Sequence, residues 1–137
     1  LRYRLERAMI AGDLVPADLP GAWGEGMNSL LGITPPDDAD GCMQDIHWPS
    51  GSFGYFPTYT LGALAAAQLF SSAWKARNNL GIELGKARFS ELTSWVREHV
   101  HGVGSSRTPD EIILAATGAP LGTAAFKSHL EARYLAN

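Results

Sequence analysis

Pro57-Thr58-Tyr59-Thr60-Leu61-Gly62-Ala63-Leu64-Ala65-Ala66-Ala67-Gln68-Leu69-Phe70-Ser71-Ser72-Ala73-Trp74 decides the fold class. Proline is favoured at the start of a helix, and Tyr59, Leu61, Ala65, Leu69 and Trp74 spread apolar groups over most of its circumference. The stretch predicts one long helix from Pro57 to about Asn78, buried on most faces and ended by Asn78-Asn79 and Gly81. Its solidly apolar part, Leu61 to Phe70, is about half of what a bilayer crossing needs, so no membrane span is expected.

The same periodicity holds on both sides. Leu1, Leu5, Ala8 and Met9 recur at helical spacing and Gly12 follows as a C-terminal cap. No capping residue precedes Leu1, which predicts a cut inside a longer helix. Asp18 followed by Pro20 opens a second helix that runs through Leu31 to Gly32. Gly21, Gly24 and Gly26 each weaken it by roughly 1 kcal/mol, so tertiary contacts must hold it. Thr34 to Asp40, with Pro35-Pro36, is loop. Beyond the central helix, Phe89, Leu92, Val96 and Val100 line up in a helix over about 88–101, with Trp95 flanking the same face. Thr108-Pro109-Asp110-Glu111 is a capping box opening a short helix to Gly118. Phe126, Leu130 and Tyr134 mark a last helix over about 122–135. No segment alternates with period two, so the expected fold is all-α, a single helical domain over 1–137.

Composition narrows the function classes. The 137 residues are 45% hydrophobic, enough for a real core, and a net charge of -3 offers no basic field to a phosphate backbone. Nucleic-acid binding is therefore not expected. Cys42 is the only cysteine, so no internal disulfide forms, which fits a reducing cytoplasm. It reads as a small buried residue.

Chemistry-bearing side chains crowd into Gly41-Cys42-Met43-Gln44-Asp45-Ile46-His47-Trp48 and the adjoining Phe53-Gly54-Tyr55-Phe56-Pro57-Thr58-Tyr59, in a chain with only 18% charged residues. Asp45 is placed to orient His47 and set its tautomer, and Gln44 to bond backbone. Tyr55 and Tyr59 are four apart, on one face if the helix reaches that far, where a phenol could donate to an oxyanion. A polar network that only braces the fold explains the same residues. Glu98-His99-Val100-His101 invites a metal, but residues two apart on a helix point to nearly opposite sides. The two imidazoles fit better as partners of the helix's negative end.

The Gly41-x-x-Gln44-Asp45-x-His47-Trp48 motif resembles the signature of the Taq-type zinc carboxypeptidases. The resemblance extends through Leu1 to Ile10, Asp18-Leu19-Pro20, Leu30-Leu31-Gly32, Pro35-Pro36-Asp37, the Gly54 to Gly62 segment, Thr108 to Glu111, and Ala116-Thr117-Gly118. It implies the C-terminal lobe of a mostly helical, two-lobed metallopeptidase that removes single residues from peptide C-termini with one divalent metal, usually zinc. The family's His-Glu-x-x-His helix does not occur in these residues. The resemblance therefore implies no metal ligand and no activity in this chain alone. It makes His47, Tyr55 and Tyr59 catalytic candidates, with Gln44, Asp45, Trp48 and Phe53 forming the substrate groove. Arg2 and Arg4 are not expected to bind the substrate carboxylate. The implied partners are the N-terminal part of the same enzyme, a peptide substrate, and a second copy of the chain. The chain would be a piece of a longer protein, a truncated product, or a subunit docking with a separate N-terminal chain. Two other classes remain open: a noncatalytic helical module that binds a protein or peptide, and an independent metal protein using His99 and His101.

Overall fold

Seven α-helices carry the computed structural model, which describes residues 1–135, and no strand occurs among the described residues. They are α1 (Arg2–Ala11), α2 (Leu19–Leu31), α3 (Pro57–Ala76), α4 (Leu80–Gly85), α5 (Ser90–Val96), α6 (Pro109–Thr117) and α7 (Ala124–Tyr134). The all-α reading is correct. The contacts divide the chain into two compact units, Leu1–Tyr59 and the residues from Thr60 onward.

In the first unit, Leu5 of α1, Trp23 of α2 and Cys42 pack together, with Leu1, Leu14, Leu19, Ala22, Met27 and Trp48 around them. Cys42 is thus the small buried residue its composition suggested. Gly12 ends α1 in the left-handed region (φ 82°), where its N–H bonds back to the carbonyls of Ala8 and Met9. The glycines of α2 have a packing reason at Gly26. A Cβ there would collide with the Leu1 side chain, so glycine lets α1 and α2 approach closely.

In the second unit, Ala73 of α3, Leu80 of α4 and Trp95 of α5 form the core, with Leu69, Leu84, Leu92, Val96 and Ala116 against it. Three expectations need correction here. The first concerns α3, which is not buried on most faces: only Ala73 is buried, while Leu61, Phe70 and Trp74 are 40–50% exposed. None of the described residues covers those side chains more fully. The second concerns the segment after Asn79, which forms α4 instead of simply ending α3. Leu80, fully buried, anchors it against Ala73 and Trp95 and outweighs the poor helix propensity of Gly81 and Gly85. The third concerns α5, which starts at Ser90, so Phe89 stands outside it and is 59% exposed. Trp95, expected only to flank the apolar face, is instead its buried centre.

After Val96 the α pattern gives way to a π turn over Arg97–His101, closed by the Gly102 N–H donating to the Arg97 carbonyl at 2.7 Å. His99 lies within this turn. Its ring stacks on Trp95 at 4.5 Å, and its Nδ1 lies 2.9 Å from the Trp95 carbonyl, which accepts from it. His99 thus satisfies a carbonyl at the helix end, as its position suggested. In α7, Phe126 is half-buried, whereas Leu130 and Tyr134 are exposed.

The capping box forms as its sequence dictates. Thr108 Oγ1 accepts from the Glu111 N–H at 3.3 Å, and the Thr108 N–H donates to Glu111 Oε2 at 2.8 Å. The Thr108 N–H, followed by the Thr108 hydroxyl, holds the Glu111 carboxyl below the ordinary glutamate value of 4.5. A carboxyl depressed by folding stabilises α6 above its unfolded value and stops doing so as pH falls through its folded one. The Glu111 carboxyl carbon, followed by NMR, should therefore titrate below pH 4.5, and Thr108→Ala, which removes the hydroxyl but keeps the N–H, should raise the midpoint only part of the way. A Glu111 midpoint at or above 4.5 in the unsubstituted chain would refute this.

Candidate active-site cluster

Local folding explains how Asp45 meets His47. Cys42–Gln44 make one 3-10 turn, and Asp45 follows in extended backbone (φ -85°, ψ 122°). Its side chain folds forward so that Oδ1 accepts from the His47 N–H at 2.7 Å, an Asx-type bond, and lies 3.2 Å from His47 Nδ1. A carboxylate only accepts, so Nδ1 carries the proton of neutral His47 and Nε2 is left as an acceptor. Nε2 lies 3.2 Å from the Tyr59 hydroxyl. The result is a line from a buried carboxylate through an imidazole to a phenol, and Tyr59 is 58% exposed.

The chain then reverses. The Ser52 N–H bonds the His47 carbonyl at 2.8 Å, and the residues after it return against the imidazole. Tyr55 stacks on His47 at 5.5 Å, Phe56 leans on it at 4.6 Å, and the Tyr55 and Tyr59 rings meet edge-on at 5.3 Å. Tyr55 precedes α3 and Tyr59 lies in its first turn, so they meet through this reversal and not on one helix face.

Two buried carboxylates hold the arrangement. Asp45 is 5% exposed, and its second oxygen, Oδ2, meets Arg2 Nε at 2.9 Å. Glu6 of α1 is 6% exposed; its Oε2 accepts from Trp48 Nε1 at 2.8 Å and its Oε1 from the Gly54 N–H. One glutamate thus clamps both ends of the reversal. Neither Arg2 nor Glu6 was singled out from sequence, since each lies some forty residues from its partner and shares no motif with it.

The remaining candidates divide. Trp48 packs edge-on against Trp23 and Phe56 with its N–H on Glu6, so it anchors the loop. Gln44 donates to the Ala39 carbonyl, and its side chain is exposed. Phe53 is 51% exposed and makes no ring contact with the His47 cluster. A cleft of about 480 Å³ in the same unit is lined by Pro20, Trp23, Asn28 and Cys42, among others, but by none of His47, Tyr55 or Tyr59. The cluster is a surface array.

Its donors do not fit a metal. Both ring nitrogens of His47 face partners, and among the described residues no three His, Cys, Asp or Glu side chains converge where an ion could be held. His99 spends its Nδ1 on the Trp95 carbonyl. No helix among the described residues is long and apolar enough to cross a membrane.

The fold is a helical one that sets a carboxylate-oriented histidine beside exposed phenols. Comparison with known proteins defines the family. The Carboxypeptidase Taq (M32) metallopeptidase family matches residues 1–134, and the chain belongs to it. It is 41% identical to thermostable carboxypeptidase 1 of Thermus thermophilus over 99% of its own length and 27% of that protein's. Thermostable carboxypeptidase 1 of Pyrococcus furiosus is 39% identical over 98% and 27%. The M32 carboxypeptidase structure from Deinococcus radiodurans R1 superposes with a TM-score of 0.91 at 38% identity, over 97% of this chain and 27% of the other. The chain therefore spans about a quarter of the length of these relatives.

Proposed function

We propose that the chain is the C-terminal segment of a metal-dependent carboxypeptidase that hydrolyses single residues from peptide C-termini. Within that enzyme it supplies substrate and transition-state contacts. The observation that carries this reading is the Asp45–His47–Tyr59 line, which ends on an exposed phenol 3.2 Å from the imidazole. Family membership supports the class of reaction.

Peptide hydrolysis places negative charge on the oxygen of the attacked carbonyl, and a fixed donor aimed at that oxygen lowers the barrier. Neutral His47 accepts a hydrogen bond from the Tyr59 hydroxyl, which keeps its proton. When the imidazole takes a proton from water, Asp45 balances its charge and Nε2–H donates to the phenol oxygen, so the Tyr59 hydrogen is free to turn toward substrate. Tyr55 holds the ring from its face, Trp48 anchors the loop behind it, and the exposed Gln44 and Phe53 flank the approach.

The metal, zinc by family resemblance, is held by residues outside this chain, and the chain by itself is inactive. Its partners are the N-terminal part of the same enzyme, the peptide and a second copy of the protein, in the cytoplasm. The half-exposed Leu61, Phe70 and Trp74 favour a second reading, a noncatalytic module that binds a protein through α3.

The complete enzyme carrying this segment tests the first reading. A peptide with a free C-terminus should be shortened one residue at a time, while the same peptide with a C-terminal amide is spared. Internal cleavage, or no cleavage of either peptide, would sink it and leave the interaction module.

A further inference from the structure

We propose that Arg2 is a positioning residue for His47, acting through Asp45 and Phe56; this rests on the catalytic reading of His47 given above. Arg2 Nε meets Asp45 Oδ2 at 2.9 Å, while Asp45 Oδ1 faces both the N–H and the Nδ1 of His47. The carboxylate thus has a charged partner at one oxygen and His47 at the other. The guanidinium carbon lies 5.3 Å from the ring centres of both Trp23 and Phe56. Its flat cation therefore contacts two aromatic rings while pairing with the acid, a combination a lysine ammonium does not reproduce.

A second route reaches the same imidazole. Phe56, one of the two rings against Arg2, leans on His47 with ring centres 4.6 Å apart. Arg2 thereby sets the acceptor that fixes the His47 tautomer and one of the surfaces that fixes its tilt. In the neutral ring, protonation at Nδ1 leaves Nε2 as the acceptor that faces the Tyr59 hydroxyl.

The test reads the tautomer directly, by nitrogen NMR of the histidine-labelled 137-residue chain, with His47→Gln used to assign the signal. Neutral His47 should carry its proton on Nδ1. Arg2→Met should weaken that preference by about ten-fold, Arg2→Lys should restore part of it, and in an Asp45→Asn background Arg2→Met should have no further effect. In the complete enzyme, Arg2→Lys should lower kcat with KM nearly unchanged.

If His47 keeps its tautomer in both Arg2 variants, or if KM rises while kcat holds, the proposal is overturned. Should Arg2→Met fail to fold, Arg2→Lys and the Asp45→Asn background carry the same decision. A shifted tautomer with kcat untouched would leave Arg2 as the orienting group and overturn the catalytic reading of His47. A lowered kcat with the tautomer intact would do the reverse.

Discussion

Replacing Tyr59 by phenylalanine should lower kcat of the complete enzyme by about 100-fold, the usual cost of removing one preorganised donor to a developing oxyanion. The expectation follows from the hydroxyl's position. It is 3.2 Å from His47 Nε2, on a side chain left 58% exposed, so the phenol is both oriented by the protein and available to a ligand. Tyr55→Phe keeps the ring that stacks on His47 and removes a hydroxyl with no partner among the described residues, so its effect should stay under about ten-fold. Fold should be intact in both, because neither hydroxyl is buried. Steady-state kinetics decide between the two tyrosines. A larger loss in Y55F than in Y59F would transfer the donor role, and an equal, small loss in both would remove it from this cluster. His47→Gln should match Tyr59→Phe if the two act as one unit, and the double variant should then be little worse than either single one.

Glu6→Leu should destabilise the chain by about 2–4 kcal/mol, because it leaves two donors inside the protein with no acceptor. Trp48 Nε1–H and the Gly54 N–H both end on this one carboxylate, which is 6% exposed and bonded only to N–H groups of the loop. Glu6→Gln keeps one acceptor oxygen and should cost less. Urea unfolding followed by tryptophan fluorescence provides the measurement. A buried charge is also costly to desolvate, so an unchanged or raised midpoint for Glu6→Leu would mean that desolvation cancels the bonds. In that event the clamp would serve only to register the loop against α1.

Much of this was legible because it is local. The helices over Arg2–Ala11, Leu19–Leu31 and Pro109–Thr117 follow from apolar spacing and caps within a few residues of each other. The Thr108–Glu111 box needs only its own four residues. Asp45 and His47 were also readable as a pair, since the bond between them closes over two positions. What failed depended on partners distant in sequence. Trp95 and Phe89 have similar apolar character, yet packing against Leu80 and Ala73 buries the first and leaves the second in solvent. Leu80 turned a weak, glycine-rich stretch into α4 by the same means. The π turn after Val96, in which His99 stacks on Trp95, is a choice between two hydrogen-bond patterns that composition does not express.

By itself the sequence determined an all-α chain, the family it belongs to, and the short run 41–59 that carries the candidate site, because periodicity, caps and contiguous motifs act over one or two turns. Tertiary structure alone decided which tyrosine reaches His47, that Glu6 clamps the loop, and that Arg2 grips the far side of Asp45. Those contacts join residues 12 to 48 positions apart, or depend on the chain reversing between Ser52 and Pro57. Hydrogen bonds and ring contacts depend on distance in space, and only the folded chain brings α1 to residues 45–56.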